Sequence, residues 1–204
     1  MNPDPARPRV VMFLAEATFS HDWARAARTV ADVVTVAVVR DPVSARDPWE
    51  ERHGQPAVDH WVRAVRRRPG RLFFKLNAEA TARRVETTLR DIERETGRRT
   101  DVLHGHFYAG SAFLPAVRRR TGIPYVVTEH STRLTGESAP HKPLTRAGLR
   151  IASEVFGAAG RVIAVSEYLR SCIGKLGLAG EVEVIGNPID IRMFHAPETA
   201  PTAP

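Results

Sequence analysis

Two short runs bring imidazoles and a carboxylate together, His104-Gly105-His106 and Thr128-Glu129-His130-Ser131. An imidazole titrates near neutral pH, so it can give or take a proton or donate to a substrate hydroxyl. Glu129 and His130 are therefore the candidate catalytic pair, although a turn whose polar groups satisfy one another locally fits the same residues. His104 and His106 stand two apart, which on a strand places both on one face. Three readings stay open for them: packing at a strand end, lining a substrate cleft, or ligating a metal. Two imidazoles are too few for a tetrahedral set and no cysteine completes it, so no metal is expected. Ser131, Arg133 and Asn187 are further polar candidates for substrate contact. Ser166 reads as a helix N-cap, and a helix start with its own hydroxyl could also hold a phosphate.

The elements that must position these residues alternate. Short β-branched runs are spaced by helical periods, the pattern of a βαβ series. Strands are predicted over 10–14, 33–39, 101–104, 125–128, 162–165 and 182–185. Ser20 reads as the N-cap of a helix carrying Trp23, Ala26, Ala27 and Val30. Further helices are predicted over 78–96, 111–121 and 143–157, and after Ser166, where Leu169, Cys172, Ile173 and Leu176 share a face. Gly122 reads as a C-terminal stop. Between 41 and 77 the regularity breaks into a basic insertion punctuated by prolines. Inside it Pro56 opens a predicted helix with Val58, Trp61, Val62 and Val65 on one side. Near-continuous apolar strands are buried on both faces. The expectation is a Rossmann-like, doubly wound, mostly parallel sheet with helices on both sides. In such sheets ligands bind beyond the carboxyl ends of the strands, where the candidates above lie.

Composition narrows the function classes. The chain has 204 residues with 30 basic and 23 acidic side chains. Residues 63–99 hold 12 of the basic and 5 of the acidic ones, so the net charge of +7 is one local feature. No zinc-finger spacing, basic zipper or RNA-binding aromatic signature accompanies it, and no nucleic-acid partner is expected. From Arg63 to Lys75 the cations are interleaved with Trp61, Leu72, Phe73, Phe74 and Leu76. That suits peripheral contact with an anionic membrane surface, or a solvated face whose aromatics turn inward. No apolar run reaches the roughly 20 residues of a membrane span. The run 10–15 is too short for a signal peptide. Cys172 is the one cysteine and reads as core, so no internal disulfide forms and a cytoplasmic location is expected. The turn after the first strand, Ala15-Glu16-Ala17-Thr18-Phe19-Ser20, carries no glycine, which excludes the dinucleotide fingerprint. Neither GxxxxGK[ST] nor GxSxG is present.

From Asp101 onward the chain resembles family-4-type glycosyltransferases of the two-domain B architecture (GT-B). Asp101-Val102-Leu103-His104-Gly105-His106 with Gly110 resembles the family's D-V-aliphatic-H-x-H strand and glycine. Gly122-Ile123-Pro124-Tyr125-Val126-Val127-Thr128-Glu129-His130 resembles G-I-P-x-V-x-T-x-H. Arg161-Val162-Ile163-Ala164-Val165-Ser166 resembles V-I-A-V-S. Val184-Ile185-Gly186-Asn187-Pro188-Ile189-Asp190, with Phe194 and Pro197, resembles V-I-x-N-G-V-D … F-x-P. The resemblance implies sugar transfer from a nucleotide-sugar co-substrate to an acceptor hydroxyl, with no metal or other cofactor. It implies an N-terminal domain that mainly binds acceptor and a C-terminal domain that mainly binds donor, with His130 touching the donor sugar. His104, His106, Gly110, Ser131, Arg133, Ser166 and Asn187 would then contact substrate.

Residues 1–195 are expected to form the N-terminal domain and 196–204 a disordered Ala/Pro-rich tail. The donor-binding domain has no counterpart, so the expectation is a chain inactive alone, whose donor-binding domain is supplied by another chain or lost by truncation. Two departures keep other readings open, the glycine-free first turn and the missing second domain. One is a non-catalytic module of the same fold that binds a sugar or a partner enzyme. The other is a membrane-surface adaptor.

Overall fold

The protein is represented by a computed structural model that describes residues 6–14, 19–39, 58–65, 71–135 and 144–189. Among these residues seven strands form one sheet: β1 (Arg9–Leu14), β2 (Asp32–Val39), β3 (His60–Arg63), β4 (Val102–His106), β5 (Tyr125–Glu129), β6 (Arg161–Ala164) and β7 (Val182–Val184). Their order is β3-β2-β1-β4-β5-β6-β7, and every pair is parallel. The helices are α1 (Phe19–Ala27), α2 (Arg71–Thr96), α3 (Leu114–Thr121), α4 (Arg146–Gly157) and α5 (Glu167–Lys175), with a 3-10 turn over Thr132–Leu134. This is the doubly wound α/β arrangement expected from the apolar runs.

β1 shows why those runs are continuous. Val11 and Phe13 enter the main core, shared with Ala82, Val85 and Leu89 of α2 and Leu114 and Val117 of α3. Met12 and Leu14, alternating with them, enter a smaller core closed by Ala24 and Trp23 of α1. Alternate side chains of a strand point to opposite faces, so a sheet covered on both sides needs apolar residues at every position.

The amino end of β1 carries an ion-pair network. Arg9 is 2% exposed, and its Nε and Nη2 donate to Asp32 Oδ2 at 2.9 and 2.5 Å. Arg98 Nη1 donates to the same oxygen at 2.9 Å. Thr96 Oγ1 accepts from Arg9 Nη1, and Asp101 Oδ2 accepts from the Arg9 amide at 2.7 Å. This end of the sheet, away from the candidate residues, does structural work.

Four local expectations are corrected. The helix opened by Pro56 is absent where the chain is described, because His60–Arg63 forms edge strand β3 against Val36–Val39 of β2. Asp59 pins its start: the Thr35 amide and hydroxyl donate to Asp59 Oδ2 at 2.7 and 2.8 Å. Apolar spacing over so few residues does not separate strand from helix, and the open edge of β2 decides. α2 begins at Arg71 rather than 78, so 71–77 is helical rather than irregular. α3 begins at Leu114 rather than 111, because 107–113 is a turn. Ser20 lies inside the first turn of α1 and is buried, so it does not cap that helix. By contrast Ser166 accepts from the Leu169 amide as the N-cap of α5, and Gly122 ends α3 at φ 75°.

The glycine-free turn 15–18, most of the insertion, residues 66–70 of the basic stretch, Asp190 and the tail lie outside the described residues. Among the described residues no helix is long and apolar enough to cross a membrane.

Candidate functional site

The order of successive strands reverses between β1 and β4, running outward to β2 and β3 on one side and to β5, β6 and β7 on the other. Crevices at such switch points, outside the carboxyl ends of the strands, are where doubly wound sheets bind ligands. β4 and β5 end here side by side, with His104 opposite Val126 and His106 opposite Thr128.

His104 and His106 do share a face, and their rings stack with centroids 4.7 Å apart. His104 Nε2 lies 2.8 Å from Thr128 Oγ1. His106 Nδ1 lies 3.0 Å from His130 Nε2. Both strand histidines are buried, and His130 is half-buried at the mouth. His106 Nε2 has no hydrogen-bond partner among the described residues. Trp23 of α1 sets its ring edge-on to His104 at 5.8 Å and meets His106 at 6.1 Å. The Trp23 indole donates to Asn187 Oδ1 at 3.0 Å, which brings the segment after β7 over the histidines.

Burial dominates the electrostatics. It lowers His104 to about 4, aided by His130, and lowers His106 to about 2, aided by His104, His130 and His21. His130 also falls to about 4 by burial, with the Asn187 side chain working against the shift. At neutral pH all three imidazoles are therefore uncharged, each with one N–H and one lone pair. Burial raises Glu129 to about 7, while the amides of Tyr108, Ser131 and His130 pull it down.

Glu129 is fully buried. Its Oε2 accepts from the Tyr108 amide at 2.7 Å, and its Oε1 accepts from the amides of Ser131 at 2.7 Å and His130 at 3.1 Å. The neighbour expected to work beside His130 thus spends both oxygens on backbone.

The turn after β4 starts at Phe107, whose φ of 59° is the one positive value among described non-glycine residues. Its amide donates to Thr128 O at 2.9 Å. A pocket of about 320 Å³ opens between the turns after β4 and β5, lined by Phe107, Tyr108, Ala109, Gly110, Ser131 and Arg133. A Cβ on Gly110 would stand 3.0 Å from His106 O, so glycine lets the turn fold back onto β4. The Ser131 hydroxyl accepts from the Arg133 amide at 3.1 Å. The Arg133 side chain bonds that of Tyr108, whose phenol is raised by burial.

The fold thus gathers His104, His106, Gly110, Glu129, His130, Ser131, Arg133 and Asn187. Ser166 is spent on its cap, accepting from the Leu169 amide at 3.2 Å, and does not line the pocket. Trp23, His21, Thr128, Phe107 and Tyr108 join the site without having been singled out. A tryptophan and a histidine two apart, just after the first strand, were the available signal for α1. Among the described residues no three histidine, cysteine or carboxylate side chains are grouped to hold a metal ion.

A profile of Glycosyltransferase Family 4 matches residues 17–192. No curated protein sequence matches the chain. Among solved structures, sucrose-phosphate synthase from Thermosynechococcus elongatus superposes with a TM-score of 0.64 at 12% identity, over 93% of this chain and 50% of that one. Anabaena HepE, solved with UDP and glucose, gives 0.63 at 15% identity, over 94% and 47%. UDP-N-acetylglucosamine 2-epimerase from Rickettsia bellii gives 0.59 at 11%, over 89% and 45%. At these identities the likeness is one of fold, the Rossmann-like fold of GT-B proteins. The chain spans about half the length of these structures.

Proposed function

The chain belongs to glycosyltransferase family 4, and on that premise we propose that it is the acceptor-side half of an enzyme that moves a sugar from a nucleotide-sugar to an acceptor hydroxyl. A donor-binding domain completes the cleft over the carboxyl ends of the strands. The observation that carries this reading is the cluster of three uncharged imidazoles at the carboxyl ends of β4 and β5, next to a pocket formed by the turns that follow the same two strands.

Glycosyl transfer needs the leaving diphosphate stabilised and the acceptor hydroxyl aimed at the sugar carbon, which is electrostatic and positional work. His130, at the mouth, contacts the donor sugar by hydrogen bonding. His106 holds the His130 ring from behind, and Thr128 holds His104. The pocket lined by Phe107, Gly110, Ser131 and Arg133 receives the acceptor. Asn187, tied to Trp23, stands where the chain crosses toward the donor domain. The UDP bound in the HepE structure supports a uridine-diphosphate sugar as the donor class. The protein works in the cytoplasm, and the basic stretch from Arg63 to Lys75 adds peripheral contact with anionic lipid.

The deciding experiment reconstitutes the chain with a donor-binding domain and a nucleotide-sugar, then substitutes His130→Ala. Loss of one preorganised polar contact in a transfer site costs on the order of 10²-fold in kcat, and that is the expected result. A variant that retains full transfer refutes the role of His130. The glycine-free turn at 15–18 favours a second reading, a non-catalytic module that binds a sugar or a partner enzyme. Wild-type binding without transfer, unchanged in the variant, selects it. Flotation with anionic vesicles reads the lipid contact, and absence of salt-sensitive binding removes it.

A further inference from the structure

Glu129 makes no ion pair among the described residues and carries no exposed surface. A buried carboxylate without a cation persists only if hydrogen bonds satisfy it. Its ionised form is matched in kind, since its three partners are backbone amides that only donate and an ionised carboxylate only accepts, and these donations work against the burial that favours the protonated form. The three come from two turns. Tyr108 follows β4, while His130 and Ser131 follow β5. Between β4 and Tyr108 stands Phe107 at φ 59°. An L-residue other than glycine holds that conformation against a steric penalty, so surrounding contacts must impose it. The turn so imposed carries the pocket wall, and the Phe107 ring lies 5.1 Å from the His130 ring.

We propose that Glu129 is a positioning residue: by accepting from three amides it locks the turn after β4 to the turn after β5, and so fixes the His130 imidazole between His106 and the Phe107 ring of the pocket wall. It touches neither substrate nor reacting atoms, and it acts through backbone. The kinetic part of this inference rests on the function proposed above, but the structural part does not.

Two arms test it. The first measures amide hydrogen exchange on the full chain for Glu129→Gln, whose side-chain nitrogen cannot accept from an amide, and for Glu129→Asp, which is one methylene too short to reach both turns. Protection of the Tyr108, His130 and Ser131 amides is expected to fall at least tenfold in each variant. The amides of Val33, Val34 and Val36 in β2 serve as controls and are expected to stay within twofold. Unchanged protection at the three amides overturns the proposal, as does an equal loss at the controls. Failure of both variants to fold overturns it too, since Glu129 would then be required for folding rather than for placement.

The second arm uses the reconstituted transferase. Glu129→Gln is expected to lower kcat at least tenfold while leaving the KM for the nucleotide-sugar within threefold. A residue that works through His130 adds no further loss once His130 is gone. The double variant with His130→Ala is therefore expected to match His130→Ala alone, and a multiplied loss overturns the proposal. If wild type binds but transfers nothing, the proposed function fails while the exchange arm still judges the clamp.

Discussion

Gly105, between the two stacked histidines of β4, sits where a methyl group has no room. A Cβ there would meet the Ser111 hydroxyl well inside contact distance and stand 2.7 Å from Leu114 Cδ1 and 3.0 Å from Ser111 Cβ. Both partners are buried, Ser111 at 1% and Leu114 at 0% exposure, so neither side chain can swing into solvent. Gly105→Ala must then push the turn 107–113 away from the sheet. Overpacking of this kind typically costs 1–3 kcal/mol, and two collisions with buried partners argue for the upper end, about 3 kcal/mol. For a chain of this size each 1 kcal/mol moves Tm by about 2–4 °C, so a fall of roughly 6–12 °C is expected. The assay is urea unfolding at fixed pH with the slope m compared between variants, so that the midpoint reports stability. Ser111→Gly in the Gly105→Ala background removes two of the three colliding atoms and is expected to restore about half of the lost stability. Destabilisation below about 0.5 kcal/mol, or no recovery in the double variant, refutes the reasoning, because either result means that β4 and the segment from Ser111 to Leu114 do not approach this closely.

Asp32→Ala leaves the buried Arg9 guanidinium without its carboxylate. Removing one partner of a buried pair costs about 3–5 kcal/mol, and because Asp32 is itself partly exposed, a loss near 3 is expected in chemical denaturation. Acid unfolding carries the histidine signature: His104 and His130 are lowered to about 4 and His106 to about 2, below an unfolded value of about 6.5. The unfolded chain binds the extra protons, so stability is expected to fall as pH drops from about 6.5 towards 4. Glu129, raised to about 7, opposes this by losing stability as pH rises from about 4.5 to 7, but three groups outweigh one. A stability profile flat or rising toward acid, measured by denaturation at successive pH values, contradicts that assignment. Ser166→Ala removes the α5 cap and is expected to cost about 1 kcal/mol, and a thermal melt indistinguishable from wild type contradicts the cap.

Legibility follows how far apart the deciding atoms lie in the chain. Val33 to Val39, Tyr125 to Thr128 and Val162 to Ala164 read correctly as strands because burial on both faces yields short, near-continuous apolar runs rich in β-branched residues. Ser166 and Gly122 read correctly as helix ends because a cap is settled within four residues. β3 does not read as a strand, because the reason for it is the unpaired edge of β2 more than twenty positions away. The early start of α2 is hidden too: Arg71, Lys75 and Asn77 break the apolar period that marks the rest of the helix.

At the site, residue type and position at the end of an apolar strand suffice to mark His104, His106, Glu129 and His130. A doubly wound parallel sheet, a family resemblance and a set of histidines at its carboxyl edge are thus legible along the chain, because periodicity and short motifs are local properties. What those residues do to one another is set by the folded arrangement. It joined His106 to His130, brought Trp23 across to Asn187 over 164 positions, and turned Glu129 from a neighbour of the imidazole into the clamp between two turns. Hydrogen bonds act over about 3 Å whatever the sequence separation, and burial, which sets the charge of each of these groups, is a property of the assembled sheet and helices.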